Sequence, residues 1–162
     1  MRSRIMAIFS VVILFILNYG IYEKEQIKQH GETLLLELVL FDPRSLMQGD
    51  YMRLRYAIEL NAPAEQLASH QTRGYMVIQP DDDNVAQFVR FHKEQDLNLG
   101  EKLLRFHKKG GNIEIVPDSF FFQEGHAKYY ENAEYGVFKF SDSGKHQLVG
   151  LANIDKKLIV PL

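Results

Sequence analysis

The side chains best suited to binding or chemistry are those of Asp50, Tyr51, Arg53, Arg55, Glu124 and His126. The first four fall in SLMQGDYMRLRY, residues 45–56. A carboxylate beside a glycine can hold a ligand, and a tyrosine among arginines can hold an anionic group or a partner protein. The plainer reading is structural. Asp50 after Gly49 makes an Asx-type turn that starts a strand, and Tyr51, Arg53 and Arg55 form the solvated face of that strand. Glu124 and His126, in QEGHAKYY, are the best titratable pair in the chain. They could do acid–base work, against the plainer reading of a surface pair. Ser45, between Asp42 and Arg44 on one side and the Gly-Asp turn on the other, is either a nucleophile or a turn cap bonded to a backbone N–H. A hydrolase would place its site around Ser45, Asp50 and His126.

Other chemistries find less support. The six histidines, His30, His70, His92, His107, His126 and His146, contain no H-E-x-x-H or other close ligand pair, so no metal site is expected. His92 and His107 each close an R-F strand motif and are expected to be hairpin neighbours. Asp81, Asp82 and Asp83 lack the glycine and glutamate of a calcium loop and read as an exposed hairpin tip. The absence of cysteine excludes thiol chemistry and disulfides. A formal net charge of −2, with no long Lys/Arg run, gives no reason to expect a nucleic-acid partner. No cofactor is called for.

The elements that must position these residues begin with a helix. Arg2 and Arg4 precede the uncharged run Ile5 to Leu17, which Asn18, Tyr19, Gly20, Ile21 and Tyr22 extend to about 18 residues, near the lower length that crosses a bilayer. Ser10 and Asn18 are the only clearly polar residues in it, too few for the polar stripe of a core helix, and no A-x-A pattern marks a signal-peptide cleavage site. Residues 1–22 are therefore expected to be an uncleaved transmembrane anchor. The arginines before it, with Glu23 and Glu25 after it, put the N-terminus inside. Residues 23–31 read as a helical stalk stopped at Gly31.

Residues 32–162 read as one mainly β domain, a barrel or sandwich of about eight short strands with at most one or two short helices. ETLLLELVLF is a long apolar strand. GDYMRLRYAIEL alternates with period two: Asp50, Met52, Leu54, Tyr56 and Ile58 face the core, and Tyr51, Arg53, Arg55, Ala57 and Glu59 face solvent. Three hairpins follow, across PDDDN, Lys109-Gly110-Gly111 and SDSGK. Residues 62–72 read as a loop or one helical turn, and SFFFQEGHAKYYENA as a strand followed by a loop or short helix. Phe120, Phe121 and Phe122 cannot all face one core, so one of them must meet a helix, a partner or the membrane.

The stretch GDYMRLRY resembles the motif of the GDYxxLxY-domain family, matched at Gly49, Asp50, Tyr51, Leu54 and Tyr56. DPRSLMQGDY, FFFQEGHAKYY, AEYG and LVGL extend the likeness over nearly the whole chain. The resemblance implies a membrane-anchored bacterial protein with an extracytoplasmic domain, often encoded near a multi-spanning membrane protein. It supplies no reaction and no catalytic residue. The order of features is also similar, more remotely, to type I signal peptidases. Ser45-Leu46 and Gly49-Asp50 fit T-L-x-x-G-D, VAQFVRF fits the lysine strand, and VPDSFFFQEGH fits the V-P box. That resemblance implies a nucleophilic serine where Phe41 stands and a lysine base where Arg90 stands. Phenylalanine has no nucleophile and arginine stays protonated, so a related fold would be one without its peptidase site.

The expectation is a single-pass protein of the bacterial cytoplasmic (inner) membrane, with its β domain on the periplasmic or extracytoplasmic side. It is expected to be a binding or assembly module for a multi-spanning membrane protein or a cell-envelope ligand. The alternative is a cell-envelope hydrolase or peptidase with the atypical site around Ser45, Asp50 and His126.

Overall fold

A computed structural model describes residues 2–39, 47–48, 51–63, 65, 67, 72–93, 95–141 and 144–161, without the side chains of residues 2–5, 7, 47 and 48. Phe41, Ser45, Gly49, Asp50 and His70 lie outside the described residues.

Helix α1, Arg2–His30, runs for 29 residues through both the expected anchor and the expected stalk. It stops at Gly31, whose N–H donates to the Ile27 carbonyl at 2.9 Å. A side chain at Gly31 would have its Cβ 2.4 Å from the Ile27 oxygen and 3.0 Å from the Phe140 oxygen, so only glycine fits where the helix end presses on the sheet. Among the described residues, no helix is both long and apolar enough to cross a membrane. The stretch expected to do so, residues 5–22, includes positions 5 and 7, whose side chains are not described.

The rest is mainly β. Strands β1 (Glu32–Glu37), β9 (Tyr135–Phe140) and β10 (His146–Ala152) form one antiparallel sheet in the order β1-β9-β10. β4 (Arg73–Pro80), β5 (Ala86–Phe91), β6 (Lys102–Lys109) and β7 (Asn112–Ile115) form a second, ordered β5-β4-β6-β7. β2 (Met47–Gln48), β3 (Tyr51–Arg53) and β8 (Ser119–Phe121) form the third. Short helices α2, Ala57–Asn61, and α3, Ala127–Tyr130, complete the described elements. All three expected hairpins form, and the third carries a bulge between Leu148 and Gly150. Among the described residues there are ten strands against the expected eight, three of them (β2, β3 and β8) very short pieces around the GDY and SFFF stretches.

Two local expectations are corrected. GDYMRLRYAIEL is not one strand: pairing with β8 ends at Arg53, and the chain changes partners. The Arg55 carbonyl accepts from the Val39 N–H at 2.8 Å, and Tyr56 bridges Leu38. At Ala57 the chain turns helical, and a helix does not keep the period of two. Glu59, expected in solvent, is therefore buried at 8% exposure. His92 and His107 are not hairpin neighbours, because β4 lies between β5 and β6: the His92 N–H bonds Tyr75, and His107 pairs with Arg73.

One core joins the three sheets, drawing Leu34, Leu36 and Phe138 from the first, Met76, Ile78 and Phe106 from the second, and Met52 from the third. Tyr56 sits at their junction with no exposed surface. Its ring packs edge-on to Phe138 at 5.7 Å, and its hydroxyl donates to the Pro117 carbonyl at 2.8 Å. The same ring covers bare backbone in β9: a Cβ on Gly136 would lie 3.1 Å from Tyr56 Cε1 and 3.2 Å from Phe138 Cε2. Phe120 and Phe122 pack against Tyr130 at 5.1 and 5.5 Å, while Phe121 remains 73% exposed, the odd residue out of the three.

These contacts give graded expectations for unfolding of the full chain in mild detergent, followed by urea titration. Tyr56→Phe leaves the Pro117 carbonyl without its partner and costs about 1–2 kcal/mol. Gly136→Ala crowds the Tyr56 ring and costs about 1–3 kcal/mol. Arg53→Ala, on the exposed side of β3, stays within about 0.5 kcal/mol of the parent. A Gly136→Ala protein as stable as the parent would show that the ring is not held against that strand.

Candidate binding surfaces on the GDY strand and the QEGH turn

The five described candidates divide between the two ends of the β3–β8 ladder. At one end Tyr51 pairs with Phe121, and their ring centroids lie 5.7 Å apart. Glu124 and His126 follow Phe121 in the turn leading to α3. Gly125 holds a positive φ of 80° there, and the His126 N–H donates to the Gln123 carbonyl at 3.0 Å. The His126 ring stands edge-on to Tyr129 at 5.6 Å, and Glu124 is exposed. Among the described residues, no hydrogen bond or ion pair joins Glu124 to His126. QEGH thus places its two titratable groups in one turn, ahead of α3, without a bond between them.

At the other end Arg53 pairs with Ser119, and the Leu54 N–H donates to the Asp118 carbonyl at 2.8 Å. Arg53 and Arg55 line a cleft of about 320 Å³ together with Glu59, Lys109, Asn112, Glu114 and Asp118. Three cations and three carboxylates share this lining, so it does not select for an anion as two arginines alone would.

Glu59 is the residue here that the period-two reading missed. The Ile115 N–H donates to its Oε1 at 2.7 Å, and the Tyr56 N–H donates to the same carboxylate. The second bond is half of a capping box, from the third helical position back to the residue before α2. The Ile115 bond also occupies a donor on β7, the last strand of its sheet, where it would otherwise be open to another chain. Arg55 Nε lies 4.0 Å from Oε2. Burial is the largest influence and pushes the Glu59 carboxyl up to about 6, against the lowering effect of its hydrogen bonds and of Arg55. Burial also raises the Tyr56 hydroxyl well above its usual range, with Glu59 and Asp118 adding to it. A glutamate three residues past a strand end, in Ala-Ile-Glu-Leu-Asn, was the available sequence signal for this cap.

Arg90, the position at which the peptidase resemblance requires a lysine, is a structural cation. Its guanidinium grips the buried Glu101 with both nitrogens, Nη2 to Oε2 at 2.9 Å and Nη1 to Oε1. Asn98 adds its backbone N–H at 2.8 Å and its side chain at 3.1 Å. The Arg90 bond, first among these, holds the Glu101 carboxyl down at about 2. The acidic tip at Asp81 is likewise structural: its Oδ1 accepts from the Asp83 and Val85 N–H groups at 3.0 and 2.9 Å, closing the β4–β5 turn.

Compared with known proteins, the chain matches a family model described as GDYXXLXY protein over residues 13–151. Neither the curated proteins nor the solved structures give a match, so the likeness to type I signal peptidases gains no support from a known fold.

The raised Glu59 carboxyl makes stability depend on pH in a stated direction. Its ordinary value is 4.5 and its folded value about 6, so between these limits the folded state binds a proton that the unfolded state has released. The contribution is fully present below about pH 4.5, declines as pH rises, and is gone above about pH 6, a change of about 2 kcal/mol. Glu59→Gln removes this slope. The difference in unfolding free energy between parent and variant, measured from pH 4 to 7.5, is expected to change by up to that amount across the window. Parallel pH profiles would exclude Glu59 as the titrating group.

Proposed function

The chain belongs to the GDYXXLXY family, and on that premise we propose that it is a membrane-anchored extracytoplasmic module that binds or assembles with a multi-spanning membrane protein. One observation carries the reading. From Met6 to Tyr22, α1 projects from the domain with apolar side chains exposed around its whole circumference, among them Phe9, Val12, Phe15 and Ile16. A helix apolar on all sides needs an apolar surround. The uncharged stretch from Ile5 to Tyr22, about 18 residues, is near the lower length that crosses a bilayer, with Arg2 and Arg4 on the inner side and Tyr19 and Tyr22 at the outer interface.

The family likeness supports the class of partner, and the β3–β8 ladder supplies two surfaces for it. Exposed Phe121 beside Tyr51 offers an aromatic anchor of the kind that dominates interfaces. The cleft of Arg53, Arg55, Glu59 and Asp118 offers a polar contact at the opposite end of the same ladder.

Two measurements test the proposal. A reporter that fluoresces only in the cytoplasm, fused after Leu162, is expected to stay dark; a bright fusion rejects the orientation. Tagged full-length chain, solubilised from its own membranes, is expected to bring down a multi-spanning protein in constant ratio, and Phe121→Ala with Tyr51→Ala to reduce the yield several-fold. Recovery of the chain alone after cross-linking rejects the assembly role.

A further inference from the structure

Helix α1 docks on the domain at its last turns without sealing against it. Ile27 is buried, Lys139 Nζ donates to the Gly31 carbonyl at 3.0 Å, and Lys145 pairs with Glu23. Beside this contact a cleft of about 550 Å³ opens between the helix and β6, β10 and the β7–β8 connection. Ile27, Val116, Pro117 and Leu148 give it apolar walls, while Lys24, Arg105 and Lys145 give it a cationic rim. Among the described residues, Glu23 is the one carboxylate in the lining, and Lys145 pairs with it. Among the described residues, no ion pair engages Lys24 or Arg105. His146, in the same wall, is shifted by burial towards its neutral form, and Arg105 adds to that shift. Among the described residues, two positive charges therefore stand without an acidic partner at the mouth of a largely apolar hollow.

The height of the cleft says which anion can reach it. A helix rises about 1.5 Å per residue, so Lys24 and Ile27 lie about 3 and 8 Å beyond Tyr22. The headgroup layer on each side of a bilayer is about 5–8 Å deep. Lys145 pairs with Glu23, one residue past Tyr22, which brings the domain down to the same level. Resting on the anchored reading above, we propose that this cleft seats the phosphate headgroup of an anionic phospholipid from the leaflet facing the domain. Arg105 and Lys24 hold the phosphate oxygens, and Ile27, Pro117 and Leu148 cover the glycerol end of the lipid. The lipid then fills the gap between helix and domain and fixes the angle at which the domain meets the membrane.

The test uses the full chain purified in a neutral detergent, with native mass spectrometry reading bound dihexanoyl phosphatidylglycerol, dihexanoyl phosphatidylcholine and inorganic phosphate. The parent is expected to keep one phosphatidylglycerol in preference to phosphatidylcholine. Lys24→Gln with Arg105→Gln should weaken that binding roughly tenfold, or about 1.4 kcal/mol. Arg105→Lys should recover part of the loss. Equal lipid binding by parent and double variant overturns the proposal. Inorganic phosphate bound as tightly as the lipid overturns the lipid source in favour of a free anion. Loss of the membrane partner from the double variant, with lipid binding unchanged, reassigns the cleft to an acidic segment of that partner. Carbonate extraction of the full chain from membranes separates the two readings: release rejects the anchor, whereas retention with variant-insensitive lipid binding rejects the cleft alone.

Discussion

The close approach of the Tyr56 ring to the bare backbone of Gly136 is the constraint on which the arrangement of the sheets depends. A strand normally presents a side chain at every second position on the face it buries. At Gly136 it presents none, and the space is taken by an aromatic ring from another segment. That ring is edge-on to Phe138 of the first sheet, its backbone bridges Leu38, and its hydroxyl is tied to Pro117 on the way to β8. Among the described residues, sheets of three, three and four strands meet where these contacts converge. The two described anchor positions of the family motif that are deeply buried, Leu54 and Tyr56, thus serve packing, and the motif reads as the fold's fastening before it reads as a site.

The same segment decides which charges are held fast. Because the chain leaves β3 after Arg53 and bridges the end of β1, it reaches Ala57 in a position to start a helix under β7. Glu59 then meets the Ile115 and Tyr56 N–H groups in a buried setting. A carboxylate so placed is worth keeping only while its bonds are made, since an unpaired buried charge is far costlier than a paired one. Arg90 and Glu101 repeat the pattern at the far end of the second sheet, with the acid held down instead of pushed up because its partner is a cation in direct contact. Opposite shifts of two glutamates in one small domain follow mainly from that difference: burial dominates at Glu59, the arginine, helped by Asn98, at Glu101.

Helix and domain are coupled through contacts at the helix's last turns: the Gly31 exit pressed on β9, Ile27 buried, and the Glu23–Lys145 pair. A glycine that cannot accept a side chain, followed at once by β1, leaves little freedom at the junction. The helix end thus bears on the sheet of β1, β9 and β10, and Tyr56 ties that sheet to the segment that leaves β3.

The sequence by itself determined the elements whose signals are local. The uncharged run after Arg2 and Arg4, the glycine stop at Gly31, the three hairpins with their turn residues, and the impossibility of burying Phe120, Phe121 and Phe122 together all follow from period, composition and turn chemistry, and the described structure carries a helix ending at His30, those hairpins and an exposed Phe121. Leu54, Tyr56 and Ile58 were legible as core by their alternation, although the reason was only half right, because Ile58 is buried from a helix. What only the tertiary structure decided was partnership. The placement of β4 between β5 and β6 separates His92 from His107, and the change of partner after Arg53 sinks Glu59 and turns two arginines from an anion site into one side of a balanced cleft. Glu101 found Arg90 across eleven residues by loop geometry, and Glu124 missed His126 across two. Periodicity reports which face a side chain takes within its own element. It carries no information on which element comes to lie against that face, and the charge, burial and proton affinity of every candidate here depend on that neighbour.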